Sequence, residues 1–244
     1  MYQPRTYRHW VKDKDLVAFK VTVKETDLYI RARSDLKRQA HELVLKYRQI
    51  LEEYIEDHPS FLTSLEPLAV DDDAPPLVRD MAEAAEKASV GPMAAVAGAI
   101  AECVGSELLD FSPEVIVENG GDIYLKSLTD RLIGIYAGKS PLTGRVGLEI
   151  EGKDTPLGVC TSSGTVGHSL SFGKADAVIV LSQSTALADA AATAIGNRIL
   201  KPQDIPGGIE FAQTIKGLKG LVIIQGEQVG VWGEVKLGEM AVEA

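Results

Sequence analysis

The stretch 158-GVCTSSGTVGHSLSFGKADAV-178 decides how this chain is read. It opens and closes as an apolar strand. Its middle is glycine, hydroxyl side chains and one histidine, His168, set between Gly167 and Ser169. Thr161, Ser162, Ser163 and Gly164 bring many backbone N–H groups and hydroxyls together, which suits phosphate or pyrophosphate recognition. A second reading makes Cys160, Ser162 or Ser163 a nucleophile with His168 as its base. No GxSxG elbow accompanies it. The plainest reading is a glycine-flanked turn that carries a surface histidine.

Downstream, 184-STALADAAATAIGNRIL-200 is an Ala-rich helix that Ser184 or Thr185 can cap. Asp189 and Thr193 stand at i and i+4 on one face of it. Their oxygens suit a divalent cation such as Mg²⁺, and the alanines around them leave room for a ligand or a second backbone. Helix chemistry alone also accounts for both, since an early Asp favours the macrodipole and Thr can bond back to a carbonyl. Upstream, EVIVE (114–118) and DIYL (122–125) are joined by Asn119-Gly120-Gly121, a strong hairpin signal. Glu118, Asn119 and Asp122 bracket that turn.

Alternation predicts further strands at LVAFKVTV (16–23), DLYIRA (27–32), RLIGIY (131–136), VGLEIE (146–151), AVIVLS (177–182), GLVIIQ (220–225) and VGVWGEVKL (229–237). Apolar residues from Leu36 to Ile55 recur at three and four, which predicts one long helix ending near His58-Pro59. Residues 60–76 are loop-like. Helices follow at 77–88 and 93–104, with Pro92 at a helix start just after Gly91. Sheet, helices, sheet, helix, sheet, with many short hairpins, predicts an α+β fold of mixed, largely antiparallel sheets packed with helices.

The bulk numbers bound the function. The chain has 244 residues, 45% of them hydrophobic, enough for a sizeable core without disulfides. Cys103 and Cys160 lie far apart and form no zinc spacing, so a reducing compartment is expected. No signal peptide and no run of membrane-span length is seen, which predicts a soluble cytoplasmic protein that does not engage a membrane. A net charge of −10 argues against nucleic-acid partners. The charge is uneven: the first 48 residues hold 12 Lys/Arg against 6 Asp/Glu. The cluster of Arg31, Arg33, Lys37 and Arg38 is read as a solvated face. Gly138-Lys139-Ser140 is no P-loop, because Ile133 stands where the upstream glycine belongs and Pro141 where the helix must begin. Small-residue helices and a Trp-containing C-terminal strand are compatible with a homodimer.

Four pieces occur in a telling order: VGPMAAVAGAIAE (90–102), VENGGDIYL (117–125), the opening stretch, and ALADAAATAIGN (186–197). In this order they resemble the ApbE-like superfamily, whose best-known members are FAD:protein FMN transferases. The resemblance is greatest to a short, uncharacterised branch, and covers nearly the whole chain as a single domain, residues 1–244. It implies an ApbE-like fold and a site for a small phosphate-containing ligand such as FAD. It implies that Asp189 and Thr193 hold Mg²⁺. Gly91, Gly120, Gly121, Asp122, Thr161, Ser162, Ser163 and Gly164 would line the cofactor site, and His168 would serve as general acid/base or phosphate ligand. The implied activity is a Mg-dependent transferase or pyrophosphatase acting on a diphosphate. The alternatives are a non-catalytic flavin- or nucleotide-binding module and, last, a Cys- or Ser-dependent acyl-transfer enzyme. Where the transferases carry DPxTG after their histidine, this chain has SLSFGKAD.

Overall fold

The computed structural model describes residues 15–165 and 172–240. Strands β1 (Val17–Val23) and β2 (Thr26–Ala32) form the first hairpin, turning through Lys24 and Glu25. Helix α1 (Lys37–Asp57) follows. Its first turn is held by Asp35, whose carboxylate accepts from the Lys37 N–H at 2.9 Å. A short helix, α2 (Ser60–Thr63), occupies part of the stretch expected to be loop. Phe61 explains it. This side chain is buried in the helical core, and a single turn is enough to point it there.

Next come α3 (Pro76–Ala88), a 3-10 turn at Pro92–Ala95, and α4 (Val96–Leu108). Strands β3 (Val115–Asn119), β4 (Asp122–Lys126), β5 (Arg131–Gly134), β6 (Val146–Ile150), β7 (Leu157–Ser162) and β8 (Ala177–Ser182) lie close to their predicted spans. Helix α5 (Thr185–Gly196) starts at Ser184, whose Oγ accepts from the Leu187 N–H. Helix α6 (Ile205–Thr214) was not expected, because Pro206, Gly207 and Gly208 weaken its helical signal. Packing overrides propensity there: Ile205 and Ala212 are buried in the core. Strands β9 (Leu218–Gln225) and β10 (Gln228–Gly233) form the expected hairpin. The predicted strand 229–237 is two strands, however. After Gly233 the chain crosses to the other sheet as β11 (Leu237–Glu239).

Eight strands form one sheet in the order β1-β2-β3-β4-β7-β8-β9-β10, and every neighbouring pair is antiparallel. A three-stranded sheet, β11-β6-β5, stands apart. The period of two decides what covers each face. Val178, Val180, Leu221 and Ile223 point toward α3, α5 and α6, while Val115, Val117 and Tyr124 meet α1 and α4. Their alternates Ile116, Leu125, Val159, Ile179, Val222 and Ile224 pack with Ile133, Leu148 and Ile150 of the small sheet. Helices on one face and a small sheet on the other make this the α+β fold that the pattern predicted. Among the described residues no single helix is long and apolar enough to cross a membrane.

The cationic cluster near residue 31 is partly structural rather than solvated. Arg31 is buried and stacks on Tyr29. Arg33 joins a buried network in which the fully buried Glu114 carboxylate accepts from Arg33, Arg131 (2.9 Å), Ser127 (2.8 Å) and the Leu128 N–H (2.9 Å). Burial pushes the Glu114 carboxyl up, but these donors outweigh it and hold it at about 2, against an ordinary 4.5. A carboxyl depressed on folding stabilises the protein above its unfolded value and loses that contribution as pH falls toward the folded value. Glu114→Gln should therefore destabilise the protein at pH 7 by about 3 kcal/mol, as expected for one broken half of a buried ion pair. Urea unfolding at several pH values checks this: the gap between variant and parent should narrow from pH 4.5 down to pH 2.

Candidate functional site

Three of the pieces singled out in the sequence meet at one place. The β3–β4 turn is a two-residue hairpin with Asn119 opposite Asp122. Gly120 (φ 70°) and Gly121 (φ 115°) both occupy left-handed backbone, which L side chains adopt only with strain. The Gly121 N–H donates to Glu118 Oε1 at 3.0 Å, and Asn119 Nδ2 donates to the Ala97 carbonyl at 3.1 Å. The hairpin is thus fastened to the start of α4. Gly121 also lies against Thr161 near the end of β7.

Helices α4 and α5 cap each other. The Asp189 Oδ2 of α5 accepts from the Gly98 N–H in the first turn of α4 at 2.9 Å. Glu102 of α4 accepts from the Thr185 N–H at the start of α5 at 2.7 Å. The first N–H groups of a helix have no intrahelical partner, and a carboxylate there is favoured by the helix dipole. The starts of both helices are therefore fixed by a carboxylate of the other helix. The two backbones are in near contact: a Cβ on Gly98 would stand 2.4 Å from the Thr185 carbonyl oxygen and 2.8 Å from Asp189 Cβ. Gly158 of β7 is equally close to α5, its Cβ position being 2.6 Å from Thr185 Cα. Gly98 of α4 and Gly158 of β7 allow this close approach to α5.

Ten of the twelve residues of α5 are buried, and the other two, Asp189 and Thr193, are half-buried. The helix is open only where an oxygen-bearing face was predicted. Around that opening, Ala97, Gly121, Thr161, Ser162 and Ser163 are half-buried, and Asp122 is buried at 7% exposure. The Ser162 hydroxyl lies near Gly196 at the end of α5. Burial raises the Asp189 carboxyl to about 7, although the Gly98 and Ala97 N–H groups oppose the rise. Burial, and then the neighbouring Asp189 charge, pushes the Asp122 carboxyl well above its ordinary range. Both carboxylates are short of positive partners: among the described residues no ion pair to either is recorded.

The donor set fits a hard cation better than a soft one. Among the described residues no group of three or more His, Cys, Asp and Glu side chains is arranged to hold a metal. The face instead offers carboxylate and hydroxyl oxygens, and a Mg²⁺ ion is usually held by one or two carboxylates plus water and phosphate oxygens.

The remaining predicted residues fall as follows. Gly164 anchors the loop after β7: its N–H donates to the Ala175 carbonyl at 2.9 Å, and a Cβ there would strike the Gly173 carbonyl. Gly91 has a packing role of its own, since a Cβ would stand 1.9 Å from the Ser64 carbonyl oxygen. His168 lies outside the described residues. Glu102 and Asn119 fasten the site's frame. Glu102 had no sequence signal, because its partner is 83 residues away.

The structure corrects the nucleophile reading of Cys160. Its side chain is fully buried between the Thr185 carbonyl (Sγ–O 3.4 Å) and the Asp122 carboxyl. Burial pushes the thiol up, and the charges of Asp122 and Asp189 push it further, the opposite of an activated cysteine. Cys160 should resist a thiol reagent such as DTNB in the folded protein at pH 8 and react only on unfolding. Rapid labelling of Cys160 in the native state would contradict the burial.

Known proteins resemble this chain in sequence and in fold. The model of the AbpE bacteria family matches residues 8–210. A UPF0280 protein of Methanocaldococcus jannaschii is 46% identical over 222 residues, covering 88% of this chain and 90% of that protein. A UPF0280 protein of Methanosarcina acetivorans is 42% identical over 198 residues, covering 80% and 78%. Among solved structures, the apo flavinyl transferase ApbE of Pseudomonas stutzeri superposes with a TM-score of 0.58 at 14% identity, over 89% of this chain and 94% of that one. The flavin transferase ApbE of Vibrio cholerae gives 0.57 at 15% identity, over 89% and 96%. The fold is that of the ApbE flavin transferases, and the chain belongs to the AbpE bacteria family.

Proposed function

We propose that this chain, acting as one domain over residues 1–244, binds a diphosphate-bearing flavin or nucleotide together with Mg²⁺ and acts on its phosphoanhydride as a transferase or pyrophosphatase. The observation that carries the reading is the opening in α5, where only Asp189 and Thr193 of twelve residues are not fully buried. Those two side chains would hold the cation. When bound, it supplies neutralisation of the charge that develops as a phosphoanhydride breaks. The hydroxyls of Thr161, Ser162 and Ser163 and the backbone around Gly120 and Gly121 offer donors to phosphate oxygens. His168 is assigned as acid/base or phosphate ligand from the resemblance alone. FAD is the first ligand to test, because the fold is shared with flavin transferases.

The test is thermal unfolding of the cofactor-free protein with FAD, FMN, ATP or NAD, each with and without Mg²⁺. A ligand at a hundred times its dissociation constant adds about 2.7 kcal/mol of stability. In a chain of this size that raises the midpoint by roughly 5–10 °C. A shift with FAD that requires Mg²⁺ is the expected result. No shift with any of the four would overturn the reading. A binding module without turnover is the second reading, favoured by SLSFGKAD (169–176) standing where the transferases carry DPxTG. Conversion of bound FAD to FMN and AMP separates the two.

A further inference from the structure

We infer that Asp122 is a second carboxylate ligand of the cation, facing the same ion as Asp189. This rests on the cation site proposed above and adds a residue to it.

The argument begins with what Asp122 lacks. Its side chain is 7% exposed, and its Oδ1 has no hydrogen-bond partner among the described residues. The Cys160 thiol and the Thr161 N–H both contact the carboxyl, which fixes the side chain between β4 and β7. An unpartnered carboxylate oxygen in a buried position is expensive unless a positive group comes to it.

The surroundings say which kind of group. The carboxyls of Asp122 and Asp189 are close enough for each other's charge to matter, and Glu118 adds a third negative charge. The hairpin that carries Asp122 is tied to Ala97, next to the Gly98 that anchors Asp189. Asp122 and Asp189 are thus each held by one set of contacts, from β7 and from α4 respectively. Two carboxylates fixed in this way, with no cation of the protein paired to them among the described residues, form a site for a small hard divalent ion. An anionic ligand by itself would be repelled there. The hydroxyl of Thr193 and phosphate oxygens would complete the oxygen set.

The experiment is Mn²⁺ binding to the full chain without nucleotide, by isothermal titration and by electron paramagnetic resonance of the free ion, with Mg²⁺ as competitor. Parent, Asp122→Asn and Asp189→Asn are compared, each checked by circular dichroism. Asp122→Ser replaces Asp122→Asn if the latter does not fold. The expected result is a dissociation constant raised about 10–100-fold in the Asp122 variant, in line with losses at metal-supporting positions. Mn²⁺ affinity within twofold of the parent in the Asp122 variant, with loss in Asp189→Asn, would overturn the role of Asp122 and leave the cation site standing. Absence of Mn²⁺ binding in the parent itself would overturn both.

Discussion

Asp189→Ala should abolish the Mg²⁺-dependent ligand shift altogether, a loss of at least about 100-fold in ligand affinity or roughly 2.7 kcal/mol at the concentrations of the melt. The side chain has two attachments. Its Oδ2 caps α4 through the Gly98 N–H, and its carboxylate faces the only opening in α5. Alanine removes both, so it should also lower stability by about 1 kcal/mol through the lost cap. Asparagine separates them. Its carbonyl oxygen can still accept from Gly98, but it brings no charge for a cation. Asp189→Asn should therefore melt near the parent without ligand and still show no Mg²⁺-dependent shift. A full shift in Asp189→Asn would mean that the carboxylate serves only as a cap. Thr193→Val, at the other half-buried position of the helix, should weaken the shift without removing it, because one hydroxyl ligand can be replaced by water.

Gly98→Ala should cost about 3 kcal/mol, which lowers the melting midpoint by roughly 6–12 °C. Alanine is ordinarily the better helix former by about 1 kcal/mol. At Gly98 that gain is overwhelmed, because the added carbon would meet the Thr185 carbonyl oxygen at 2.4 Å and Asp189 Cβ at 2.8 Å. Both are fixed atoms, one backbone and one at the root of a side chain, so α4 and α5 must move apart. The mutual caps made by Asp189 and Glu102 depend on that separation. The variant should lose ligand response as well as stability. Gly207→Ala is the control: nothing stands within 4 Å of its Cβ position, and it too lies in a helix, so it should be neutral or slightly stabilising. Equal midpoints for the two variants would show that the α4–α5 contact is softer than its geometry implies.

Much of this architecture is local chemistry and was legible in the sequence. The two glycines after Asn119 dictate a tight hairpin, since both need positive φ. Ser184 caps α5 as its position before an Ala-rich run implies. The alternation in 177–182 sends odd and even residues to different cores, as a sheet covered on both faces requires. The spacing of Asp189 and Thr193 by itself places both on one face of α5. Their status as its only residues that are not fully buried comes from the tertiary structure, because exposure depends on what packs against a helix. The same holds for Glu102 capping a helix 83 residues away, for the crossing of the chain to a second sheet after Gly233, and for α6, where burial of Ile205 and Ala212 outweighs a Pro-Gly-Gly start. Cys160 shows the limit most plainly. Its neighbours in sequence are hydroxyls and glycines that suggest an exposed reactive loop, yet strand pairing on both sides and α5 above enclose it. Sequence determined which residues could turn, cap and ligate, since those properties belong to one or two neighbouring residues. Only the tertiary structure decided which of them share a space, because burial and charge coupling arise between segments that the chain order keeps apart.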